Sequence, residues 1–179
     1  AAAFTGLLAT RDVKLVDGVP MTTLVFTGVR WAFGGSSDDE VRITYEGGAV
    51  GPYAVIVTGM PNFEPGFSYA VLLDGTLDRW VPFSSGEKGV WQSIVSGHGD
   101  ELLVSASGSV LLEAASGRIV EKSAFPSDAA AKDIAAMALD YSRPLSSDGF
   151  LATAGAVNRA PPSVPRADPG AIVGVGGMQ

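Results

Sequence analysis

Between Phe4 and Ile119 the chain never runs far without a glycine, often set beside Asp or Ser, and the stretches between are short and rich in Val, Leu, Thr and aromatic residues. Glycine inside a helix costs about 1 kcal/mol relative to alanine, so this punctuation argues against long helices. It marks strands joined by turns.

Residues 4–16 read as a first strand, bent at Gly6, and Asp17-Gly18 carries the turn chemistry that closes a hairpin because glycine accepts a positive φ. Residues 21–33 return as a second long strand. Thr22, Leu24 and Phe26 alternate there with Thr23, Val25 and Thr27, which puts one face in a core and leaves the other partly wet. A third strand at 40–45 sets Val41, Ile43 and Tyr45 on one side and stops at Gly47-Gly48. Further strands are expected at 53–58 and 69–73, a pair at 80–83 and 90–95, and a closing meander at 101–106, 110–114 and 119–122.

After Pro126 the pattern changes. Ser127 can cap a helix over 129–141 with Ile134, Met137 and Tyr141 on one stripe, ended by Arg143-Pro144. Ser146 or Ser147 can cap a second, short helix through Phe150, Leu151, Ala154 and Val157. Pro161, Pro162, Pro165 and Pro169 then favour an extended arm. It leads into an apolar end in which Ala171, Ile172, Val173 and Val175 have the β-propensity to add as a strand to a neighbour's sheet. The expected division is a β-domain over 1–125, a helical element over 126–159 packed on it, and the arm and tail over 160–179.

Opening on Phe4-Thr5-Gly6, the chain continues through Thr22-Thr23-Leu24-Val25-Phe26 and Val41-Arg42-Ile43-Thr44 to Gly59-Met60-Pro61-Asn62-Phe63-Glu64-Pro65-Gly66, ahead of Tyr69-Ala70-Val71-Leu72-Leu73. This order resembles the netrin-like relatives of the OB-fold, a Greek-key β-barrel. It is also similar to a set of secreted bacterial proteins that share the Gly-Met-Pro-x-Phe-x-x-Gly feature and close with Pro-Leu-Ser-x-x-x-Phe-Leu, here Pro144-Leu145-Ser146 to Phe150-Leu151. The resemblance implies a mainly β fold: an OB-like barrel, then a β-meander, one or two short helices and a Pro/Gly-rich tail. It also implies a groove or rim that meets a partner. Netrin-like protease inhibitors work through an N-terminal cysteine, and this chain has none, so no such role carries over to Ala1.

Of the 179 residues 46% are hydrophobic and 17% charged, which suits a full core and not a disordered chain. The net charge is −7 and the basic residues are scattered, which argues against electrostatic binding of nucleic acid. No apolar run approaches the roughly 18 residues of a membrane-spanning helix. The acidic, cysteine-free, glycine-rich composition and the Ala1-Ala2-Ala3 start, as left by a cleaved signal peptide, point to an extracellular or envelope location.

Little in the sequence points to catalysis or to a cofactor. His98, the single histidine, lies in the turn-like run Ser96-Gly97-His98-Gly99-Asp100, and no Gly-x-Ser-x-Gly elbow accompanies it. Zinc needs several Cys or His ligands. Asp38-Asp39-Glu40 is the one dense acidic group and lacks the spacing of a calcium loop, so it reads as a solvated loop whose affinity for a cation stays open. Most aromatic residues belong in the core, with Trp31 and Trp91 the candidates for a partly exposed binding surface. The expectation is therefore an exported assembly protein of the bacterial surface or an extracellular filament, self-associating by strand or tail exchange. The alternative is a secreted OB-like binding module for an extracellular protein or glycan.

Overall fold

The computed structural model of the chain describes residues 1–35, 37–74, 82–84, 86–114, 119–122 and 142–159. The fold is mainly β, built on one large antiparallel sheet with a single described α-helix. Strands β1 (Ala2–Val16) and β2 (Val19–Phe33) form a long hairpin. Its two-residue turn has Asp17 at φ 50° and Gly18 at φ 84°, the pair of positive values that matches the twist of the flanking strands. The pairing slips between Thr5 and Leu7, where Gly28 takes φ 58°, so the bend expected at Gly6 is a β-bulge shared by both strands.

Strand β3 (Glu40–Glu46) pairs with β2, and a small hairpin of β4 (Gly48–Val50) and β5 (Tyr53–Val55) stands apart from the sheet. Strand β6 (Ser68–Leu73) then returns to the free edge of β1. The spatial order β6-β1-β2-β3 places a returning strand beside the first of three, which is a Greek key. Beyond β6 the sheet continues with β7 (Val90–Val95), β8 (Glu101–Ser105), β9 (Val110–Ala114) and β10 (Ile119–Lys122). A strand has two edges, and β10 takes one edge of β9. On the other, β8 meets it only at Val110, and β11 (Ser142–Pro144) pairs along Leu112 to Ala114.

The end strands β3 and β10 do not pair among the described residues, so the expected barrel closure is not seen there. The sheet grows outward from β6 through the meander instead of turning back on β3. Two more expectations are corrected. The strand over 53–58 ends at Val55, and Ile56 is 92% exposed. Phe83 bridges to Leu73, and β7 pairs with β6 and β8 and not with Phe83, while Trp80 and Val81 lie outside the described residues. Arg143-Pro144, expected to end a helix, lies in β11. The helix expected over 129–141 and the arm and tail over 160–179, with Ala171, Ile172, Val173 and Val175, lie outside the described residues.

Alternation along the strands divides the buried side chains between the two sheet faces. One face carries Phe4, Leu8, Leu24, Phe26, Val41, Ile43, Tyr45, Tyr69 and Val71. It is closed by a strap, the Gly-Met-Pro-x-Phe-x-x-Gly segment, which drives Phe63 between Phe26, Tyr69 and Phe83 with ring centroids 6.0, 5.2 and 5.0 Å away. Tyr69 buckles the strap: its hydroxyl accepts from the Glu64 N–H at 2.9 Å and donates to the Glu64 carbonyl at 3.3 Å. Gly86 holds the far end, since a Cβ there would stand 2.5 Å from the Gly59 carbonyl oxygen.

The opposite face carries Ala3, Ala70, Trp91, Leu103 and Leu111 beneath the helix α1 (Ser147–Arg159), which inserts Phe150 and Ala154. Phe150 and Ala154 are one helical turn apart and so share a stripe. Ala3 and Ala70 are small enough to let the helix come close.

Candidate functional site

The helix starts where Ser146 accepts the Gly149 N–H with its hydroxyl at 3.2 Å and the Phe150 N–H with its carbonyl at 2.8 Å. Ser146, the first of the two serines the sequence offered, is thus the cap. The N–H of Ser147 needs a different partner and finds it on another strand. The Glu101 carboxylate accepts it at 3.1 Å and accepts the Ser147 hydroxyl as well. Ser93 donates a further hydrogen bond to Glu101, at 2.7 Å.

Burial alone would raise the Glu101 carboxyl, but the hydrogen bonds from Ser147 and Ser93 outweigh it and hold the group below its ordinary value. A negative charge at the N-terminal end of α1 is also favoured by the helix dipole.

Beside this junction lies a cleft of about 350 Å³. Its floor is the bulged part of the β1–β2 ribbon, with Thr5, Gly6, Leu7, Thr27 and Gly28, and its walls are Arg30, Ser68, Glu101, Ser147 and Asp148. Arg30 donates to the Asp148 carboxylate across the rim, both side chains being more than half exposed. Thr5 is 4% exposed, and its hydroxyl makes no hydrogen bond to any described residue. Every fully buried side-chain polar atom among the described residues has a partner, so the Thr5 hydroxyl is left facing the cleft.

The residues singled out from sequence do not gather here. Trp91 is a correction: at 4% exposure it is core, its ring 5.9 Å from Phe150 and its N–H donated to Glu121 at 2.6 Å. Flanking polar residues belong to the neighbouring positions of an alternating strand, which is why they mislead. Trp31 is half-buried, 5.1 Å from Phe4, and donates to the Asp38 carbonyl at 3.4 Å.

Asp38, Asp39 and Glu40 are exposed. The Asp39 carbonyl accepts from the Val29 N–H and Glu40 accepts from Arg42, both at 2.9 Å. Among the described residues no three acidic or histidine side chains are grouped to hold a metal ion. His98 lies in the exposed β7–β8 turn, where the Ser96 hydroxyl accepts its backbone N–H at 3.3 Å. No described helix is long and apolar enough to cross a membrane.

Sequence reasoning missed Thr5, Arg30, Glu101 and Asp148. Glu101 and Ser147 are 46 residues apart and meet only after the sheet is assembled. The one local signal was the Pro-Leu-Ser-Ser-Asp run at 144–148, which marks a capped helix start but not its distant partner. No family model, curated protein or solved structure matches the chain.

Proposed function

We propose that the chain is an exported, non-catalytic binding module that meets its partner through the cleft at the start of α1. The observation that carries this is the pairing of the cleft's charges. Arg30 faces Asp148 and the helix terminus faces Glu101, so what a partner meets is a closed ion pair with hydrogen-bonding capacity to spare, hydroxyls and an apolar wall. That is a recognition surface more than a reaction centre. Ser147 donates to Glu101, but a carboxylate held below its ordinary value is a poor base for a serine hydroxyl. Export rests on the acidic, cysteine-free, glycine-rich composition. Kinship with the netrin-like branch of the OB-fold rests on the strap residues 59–66 and on the Greek-key order β6-β1-β2-β3.

The test is capture from the producing organism's extracellular fraction on the immobilised chain, beside an Arg30→Gln, Asp148→Asn double variant. A ligand held by the native chain and lost by the variant supports the proposal. Recovery of copies of the chain alone overturns it.

That second outcome belongs to an assembly protein of the cell surface, which one feature favours. Strand β1 outruns β6: pairing with β6 ends at Leu7, and the exposed stretch over residues 10–16 has β2 on one edge and no described strand on the other. An open edge of this length is a template for strand addition, and residues 171–175 of a neighbouring copy have the composition to supply it. Removal of residues 170–179 would then lower the particle mass measured by light scattering; an unchanged mass removes this alternative.

A further inference from the structure

We propose that the cleft binds a neutral, hydroxyl-rich ligand, a saccharide unit, seated over Thr5. This deepens the binding-module proposal and rests on it. A helix N-terminus and an arginine together would ordinarily attract an anion. Here both are already answered, the first by Glu101 and the second by Asp148. One cation stands against two carboxylates, so a phosphate or carboxylate entering the cleft meets a net negative wall. Among the described residues no three acidic or histidine side chains gather there to hold a metal ion.

A neutral ligand escapes both penalties, and a hydroxyl suits the groups on offer. The Thr5 and Ser68 hydroxyls donate and accept, and Arg30 has five N–H donors of which Asp148 engages one. A sugar hydroxyl that accepts from the guanidinium and donates to Asp148 would use both halves of the ion pair at once. Leu7, 42% exposed, supplies an apolar wall for the C–H face of a ring. The volume falls within the range of small-ligand sites.

Thr5 carries most of the argument. It is a nearly buried hydroxyl with no partner among the described residues, and leaving such a group unpaired when a ligand covers it is costly. The position is therefore selective for a ligand that hydrogen-bonds it.

A peptide is the competing neutral ligand, and the backbone disfavours it. Peptides commonly add to a sheet through free main-chain N–H and carbonyl groups. At Thr5 and Leu7 both edges of β1 are taken, by Arg30 and Thr27 of β2 and by Ala70 and Ser68 of β6. The cleft thus presents side-chain hydroxyls instead of ladder groups.

The experiment is a two-dimensional amide NMR titration of the full chain with glucose, galactose, N-acetylglucosamine and their β-1,4-linked disaccharides at millimolar concentration. Inorganic phosphate and a capped neutral dipeptide form the comparison arms. Saturable shifts with at least one sugar, centred on Thr5, Leu7, Ser68 and Ser147, are expected. Thr5→Val, which keeps the shape and removes the hydroxyl, should weaken that binding about three- to tenfold, as loss of one neutral hydrogen bond does. Ser68→Ala serves as a second variant if Thr5→Val does not fold.

Absence of saturable shifts with every sugar overturns the proposal. So do equal affinity in the variant and saturation by phosphate or the dipeptide alone. Sugar binding that maps to another surface overturns this site while leaving the binding-module proposal standing.

Discussion

Single residues fasten segments that are distant in the chain. Glu101 ties β8 to the first turn of α1, and its depressed ionisation is a statement about stability. A carboxyl whose folded value lies below its unfolded one adds stability that is complete above the unfolded value, 4.5 for glutamate. The contribution is lost as the pH falls from there through the folded value. Glu101→Gln removes that titration, so the variant should be less stable than the native chain near neutrality and the two should converge in acid. Urea midpoints measured across the acid range check this; parallel curves would mean that Glu101 is not tied to the helix.

Phe63 is the other anchor, fully buried against three rings. Phe63→Ala should cost about 3–5 kcal/mol, read from denaturant unfolding, because the strap cannot collapse into the space while Tyr69 holds Glu64.

At the scale of elements, the part of the fold legible in the sequence is the part written in local chemistry. The Asp17-Gly18 turn, the alternation of Thr22, Leu24 and Phe26, and the three strands of the meander all reappear where they are expected. What the sequence could not show is pairing at a distance. The sharing of one β9 edge by β8 and β11, the cleft between Thr5 and Asp148, and the burial of Trp91 under α1 each depend on residues far apart in the chain. Local pattern was also too coarse to separate Tyr53–Val55 from the loop that follows, since Ile56 continues the apolar run yet faces solvent. The helix start lies between the two cases: its cap was visible as a choice of two serines, and geometry selected Ser146. Ser146→Ala should therefore cost about 1 kcal/mol, seen as a Tm lower by about 2–4 °C, whereas an effect near zero would transfer the cap to Ser147.

The molecule as a whole presents an acidic chain with a sheet in which the β1 edge of the longest hairpin runs well past its neighbour β6. An exposed edge of that kind invites pairing between copies unless it is guarded. Residues 10–16 carry the guards: Arg11, Asp12 and Lys14 are exposed, and Lys14 sits 2.8 Å from Asp12. The net charge of −7 adds a general repulsion that weakens as salt is raised. Leu15 and Val16, 41% and 51% exposed, supply the apolar surface that pairing would cover. Replacing Arg11, Asp12 and Lys14 together by threonine keeps β-propensity and removes the guards, so the triple variant should gain mass with concentration in light scattering, more steeply at high salt. If it instead stays at the native mass, some part of the chain already covers this edge, and strand addition at β1 ceases to be a route to assembly.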